Sequence, residues 1–102
     1  MRYADEHGFY ELNPFPGCNQ IIVSNHAFIY PEHRGRGWGT EQHKHRLLQA
    51  KYLGYDYMIC TVKSDNEREI KILKANGWRQ LDRFANIETG NHIEIWGKQL
   101  QL

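Results

Sequence analysis

Two cysteines are all that the 102 residues carry, and Cys18 and Cys60 form no Cys-x-x-Cys pair. A disulfide framework is therefore excluded; reduced thiols in a cytoplasmic protein are the expectation, with one disulfide as the alternative. No apolar run approaches the roughly 18 residues of a membrane span, and the opening MRYADEHGFYEL lacks the pattern of a signal peptide. Neither sign of charge dominates: 13 Lys and Arg face 12 Asp and Glu, without the basic excess of a dedicated nucleic-acid binder. Internal repeats, low-complexity tracts and linkers are absent, so residues 1–102 read as one domain. What is present is a globular composition, 40% hydrophobic and 13% aromatic. A chain of this length buries about 65% of its unfolded surface, enough for a single core.

Residue patterns mark out the elements. GFYEL (8–12) reads as a strand, followed by a turn in NPFPGCN (13–19). QIIVS (20–24) and NHAFIY (25–30) are β-branched and aromatic, with a break or bulge expected near Ser24–Asn25. A helix is predicted from Gly39 to Leu53, ended by Gly54, and YDYMICTV (55–62) is a strand. In SDNE (64–67) Ser64 and Glu67 have the spacing of a capping box, opening a second helix that runs to about Asn76 and stops at Gly77. WRQLDRFAN (78–86) and HIEIWGKQL (92–100) resemble a closing hairpin. The strand–helix–strand crossover implies parallel pairing of 25–30 with 55–62, and the hairpin antiparallel pairing. The fold class is α/β, mixed α+β: a mixed central sheet with flanking helices.

The most informative stretch is YPEHRGRGWGT (30–40), where Gly35, Gly37 and Gly39 alternate at the junction of a strand end and a helix start. The amides of a first helical turn have no intrahelical partner and the helix dipole is positive there, so the junction favours phosphate. Glycines keep Cβ atoms away from those amides, and Arg34 and Arg36 add positive charge. A flexible turn with solvated arginines is the plainer alternative. The dinucleotide fingerprint would need glycine where Thr40 stands, and the Gly-Lys-Ser/Thr of a nucleoside-triphosphate loop is absent.

The order Ile29, Pro31, Glu32, Arg34, Gly37, Gly39 resembles the acyl-CoA pyrophosphate loop of the GNAT superfamily of N-acetyltransferases. NEREIKILKANGW (66–78) is similar to a second segment of that family, with Asn66, Ile72, Gly77 and Trp78 at matching spacing. The resemblance spans roughly residues 20–98. It implies a minimal GNAT-like domain with acetyl-CoA as co-substrate and no metal, moving acetyl to an amine, on a protein. The cofactor contacts it implies are Ile29, Arg34, Gly35, Arg36, Gly37, Trp38, Gly39 and Thr40 around the loop, and Asn66 on the pantetheine arm. A strand amide near Ile29 would stabilise the oxyanion. Two positions depart from the family. Leu73 stands where a tyrosine often protonates the CoA thiolate. About 20 residues precede QIIVS where the family usually has a strand and two helices, so an open acceptor face is expected, suited to a macromolecular amine or to a homodimer through the strands at 8–12 or 92–100.

Lysine amines are mostly protonated at neutral pH, and freeing one costs about 4–5 kcal/mol, so a general base would help. His26, on the strand leading to the loop, is the candidate; an ordinary strand histidine is the alternative. Asn66 has an equally plain alternative as a helix-start residue, and Trp38 and Trp78 read as core or cofactor-lining residues. His43 and His45 lie two apart on a helix and point about 200° apart, which disfavours a shared metal. Lys44, Arg46 and Lys51 read as a solvated helix face. Two rival functions stay open: an acyl-CoA-binding or protein-interaction module without catalysis, and a nucleic-acid binder using Arg34, Arg36 and the adjacent helix.

Overall fold

In the computed structural model, which describes residues 1–101, the β-branched and aromatic runs form a six-stranded sheet. In chain order the elements are β1 (Arg2–Ala4), β2 (Gly8–Pro14), β3 (Ile21–Ile29), a 3-10 turn (Pro31–His33), α1 (Trp38–Tyr52), β4 (Tyr57–Lys63), α2 (Glu67–Ala75), β5 (Arg79–Ala85) and β6 (His92–Gln99). The sheet order is β1-β2-β3-β4-β6-β5, and every pair is antiparallel except β3 with β4. Two antiparallel units are thus joined by one parallel seam, which confirms the mixed α+β class.

Period-two alternation selects the face that is covered. Tyr10 and Leu12 on β2, Ile22 and Ser24 on β3, Met58, Cys60 and Val62 on β4, and Glu94 and Trp96 on β6 are all buried. The strand registers place them on one side of the sheet. His43, Arg46 and Ala50 of α1 and Leu73 of α2 are buried with them. The opposite side carries Ile21, Val23, Tyr57, Ile59, Ile93 and Ile95, all only partly buried. No described helix covers that side. Among the described residues no helix is long and apolar enough to cross a membrane.

Several expectations are corrected here. The strand Arg2–Ala4 was not foreseen: three residues give too short a pattern, and pairing with β2 is what makes it a strand. The parallel pairing joins Ile21–Ser24 to Tyr57–Cys60, not 25–30 to 55–62. Beyond Ser24 the strand stays with β2 alone. The predicted irregularity falls slightly later than Ser24–Asn25, at His26, which has φ +54°, and the β2–β3 register shifts beside it. Asn66, not Ser64, caps α2: its Oδ1 accepts the Glu69 amide at 3.2 Å. The residue that caps is the one immediately before the helix, and the Ser64–Glu67 spacing lies two residues too early. The strands at 8–12 and 92–100 are interior; the edges are β1 and β5. Arg46 is buried, not solvated, with its guanidinium bonded to Ser24 Oγ and Glu69 Oε1, each at 3.2 Å.

Candidate functional site

The glycine-rich loop is built from the strand end upward. Pro31 opens the 3-10 turn, and Arg34 folds back so that its Nε donates to the Ile29 carbonyl at 2.8 Å. Its guanidinium lies 4.8 Å from the centre of the Phe28 ring. Gly35 and Gly37 then take φ of +76° and +85°, and a Cβ built on either would meet nothing within 4 Å. A left-handed conformation is what glycine adopts at least cost, and the space beside it is open to a ligand. Gly37 is also the N-cap of α1 and offers no side chain to the helix amides. The first turn of α1 therefore presents N–H groups that no capping side chain occupies, beside the exposed Arg36.

The remaining loop residues divide between two sides. A Cβ built on Gly39 would lie 3.7 Å from Ile72 Cδ1, an ordinary contact, so this glycine faces α2. Thr40 is exposed on the first turn. Trp38 turns away and stacks on His7 with ring centres 3.6 Å apart. It packs against the β1–β2 turn and does not line the groove between the helices.

That groove, about 370 Å³, is lined among others by Ala27, Ile29, Arg34, Gly39, Asn66 and Arg68. Its floor follows from the seam. Because β3 and β4 pair only as far as Ser24 and Cys60, residues 25–29 and 61–63 diverge, each strand continuing with its outer neighbour. The β3 edge facing the gap carries backbone groups without a strand partner, which a peptide-like ligand arm can satisfy. Arg68, Gln42 and Glu69 also line the groove and were not singled out from the sequence. The one available signal was Arg68's place in the first turn of α2, beside Asn66. Gln42 donates to the carbonyls of Phe9 and Phe28 at 3.1 and 3.3 Å, tying α1 to β2 and β3 at the gap.

Two sequence candidates lie elsewhere. His26 is 69% exposed and lines no part of the groove; its Nδ1 is bonded to Glu11. Glu11 alternates with the buried Tyr10 and Leu12, so this pair sits on the uncovered face, across the gap from the groove. The hydrogen bond to His26 holds the Glu11 carboxyl below its ordinary range, keeping it a carboxylate. Leu73 is wholly buried in the core and does not reach the groove; Ile72, one residue earlier, does.

A buried polar pair lies in the core under α1. His43 Nε2 accepts from Trp78 Nε1 at 2.8 Å, and burial lowers the imidazole to about 4. It is neutral, and on the opposite side of α1 His45 bonds Tyr10. Both cysteines are free, and burial pushes the Cys60 thiol up to about 12.

The backbone superposes over nearly its whole length on solved acetyltransferases. The fold is that of the GNAT acetyltransferases. A GNAT family acetyltransferase from Elizabethkingia anophelis with acetyl-CoA bound superposes with a TM-score of 0.79 at 17% identity, over 92% of this chain and 69% of that one. A protein to which phosphinothricin N-acetyltransferase activity is ascribed gives 0.86 at 20% identity, over 96% and 66%. The ribosomal-protein-S18-alanine N-acetyltransferase from Escherichia coli gives 0.80 at 11% identity, over 94% and 63%. The chain thus spans about two thirds of the length of these GNAT-fold proteins. No protein-family model and no curated protein matches it.

Proposed function

We propose that the protein is a GNAT acetyltransferase that moves acetyl from acetyl-CoA to an amine carried on another protein. The observation that carries this reading is the Gly35–Gly37 loop, whose open backbone at the start of α1 lies between Arg34 and Gly39, both of which line the groove. The pyrophosphate would sit on the first-turn amides of α1, with Arg34 and Arg36 as counter-charges. Gly35, Gly37, Gly39 and Thr40 would border it, Trp38 would brace the loop through His7, and Asn66 with Arg68 would flank the pantetheine arm. Its amides would take the place of the missing strand along the free edge of β3.

In the transfer, the amine lone pair attacks the thioester carbonyl, the C–N bond forms, and the tetrahedral intermediate gives its extra N–H proton to water, breaks the C–S bond and expels the CoA thiolate. An amide near Ile29 would receive the oxyanion. The attacking ammonium must first lose a proton, and His26 is the proposed base, with Glu11 fixing the ring orientation. The base would stand on the uncovered face and the cofactor on the helical face, so the acceptor would approach across the gap. Leu73 offers no proton to the thiolate, which therefore takes one from water. At a thiol pKa near 8.5 that costs roughly 2 kcal/mol at most.

A protein acceptor is favoured by the uncovered sheet face: few walls surround a small amine, whereas a protein brings its own binding surface. One of the similar structures is, by name, an enzyme for a ribosomal protein. A homodimer would have to use that face or the edges β1 and β5. A cytoplasmic location fits the two free cysteines. Leu73, buried in the core, favours one second reading, an acyl-CoA-binding module without turnover.

Release of free CoA from acetyl-CoA, measured with amine-bearing peptides, whole proteins and spermidine, tests the proposal. Turnover that is best on proteins supports it; saturable turnover on spermidine alone removes the protein acceptor, and binding without turnover selects the second reading. Gly37→Val should abolish acetyl-CoA binding in calorimetry while the protein stays folded. Unchanged affinity in that variant would overturn the loop assignment.

A further inference from the structure

A second cavity, larger than the groove between the helices, is present. It lies on the other side of α1, between that helix and the β1–β2 hairpin, and encloses about 540 Å³. That is within the range of small-molecule sites. Its walls are aromatic. Tyr3 and Tyr10 stack with ring centres 5.0 Å apart, and His45 meets both edge-on. His7 and Trp38 form the other wall as a stacked pair. The carboxylates of Asp5 and Glu41 stand at the rim, 70% and 60% exposed, and Glu41 pairs with Lys44 at 3.5 Å. Amides of His7 and Gly8 donate to Asp5 at 2.7 and 3.1 Å, which holds its carboxyl below the usual range and keeps it charged. Two permanent cations stand close by: Lys44 on Glu41, and Arg2, whose guanidinium lies 4.2 Å from the centre of the Phe9 ring.

The geometry points to a second binding site here, for a small organic cation with an apolar tail, such as a primary arylalkylamine. Aromatic faces attract a cation and bury its tail, and the rim carboxylates, Asp5 above all, select positive charge over neutral or negative isosteres. The site is separate from the groove. Gln42 stands between them, its amide bonded to the backbone of both β2 and β3, so the two spaces touch only through Gln42 and Ile29. Through His7 on Trp38, an occupant would bear on the start of α1, next to the loop glycines.

The test is a titration of isotope-labelled protein with phenethylamine, 2-phenylethanol and phenylacetate, followed by the backbone and Trp38 indole signals. Saturable shifts at Trp38, Tyr3 and Glu41 are expected with the amine, with the alcohol at least tenfold weaker and the acid without effect. Glu41→Gln and Tyr3→Leu should each weaken the amine by roughly three- to fivefold, the second through loss of the ring face. Both changes are at sites where the spectrum itself reports that the fold persists. Saturating CoA should leave amine binding in place. Absent shifts, equal affinity for the alcohol, unaffected variants, or displacement of the amine by CoA would each overturn the proposal. None of these readouts uses acetyl transfer, so failure here leaves the proposed reaction standing.

Discussion

His43 and Leu73 show how single side chains in the core bear on function. His43 is neutral because burial lowers its pKa from 6.5 to about 4, with Arg46 adding to the shift. Between those values the unfolded chain takes up a proton that the folded chain refuses. Stability is therefore full above pH 6.5, falls by roughly 1.4 kcal/mol per pH unit below it, and levels off below pH 4. Urea midpoints measured from pH 7.5 to 4 should show this decline, and His43→Gln should flatten it. Leu73 is the second case. A tyrosine there would add volume and a hydroxyl to a site with no free space, costing about 1–3 kcal/mol. Leu73→Tyr should lower the denaturation midpoint without raising turnover. A stable variant with faster acetyl transfer would show that position 73 reaches the thiol after all.

At the scale of elements, α2 begins where Asn66 accepts the Glu69 amide, on the rim of the groove. One residue thus serves as cap and as candidate cofactor contact. Asn66→Ala should cost about 1 kcal/mol of stability, and Asn66→Asp should restore the cap. If the amide also binds the pantetheine arm, calorimetry will find acetyl-CoA weakened in both variants, not in the alanine variant alone. The helices, the loop and the closing hairpin were legible in the sequence because glycine and periodicity act locally: Gly54 and Gly77 take the left-handed conformation expected just past a helix end. What was not legible depended on partners distant in sequence. Arg46 reads as solvent-facing until Ser24 and Glu69 close around it. The β3–β4 pairing ends at Ser24, just before the bulge at His26, and no residue type announces where two parallel strands will part. The carboxylates and rings of the second cavity come from Tyr3 to His45, too scattered to read as a motif.

For the whole molecule, the seam has a mechanical meaning. The units β1-β2-β3 and β4-β6-β5 hold their own strands by antiparallel ladders, and across the sheet only the short run Ile21–Ser24 with Tyr57–Cys60 unites them. A cofactor arm lying along β3 would extend that run with hydrogen bonds the chain itself does not make, behaving as a supplementary rung. Ligand binding then raises apparent stability by mass action, and the gain should be localised. Amide hydrogen exchange at residues 25–29 should slow most on adding acetyl-CoA, while β5 on the far edge should not respond. The protein would be a looser body when the thioester is scarce and a stiffer one when it is plentiful, so that its resistance to proteolysis would register the supply of its own substrate.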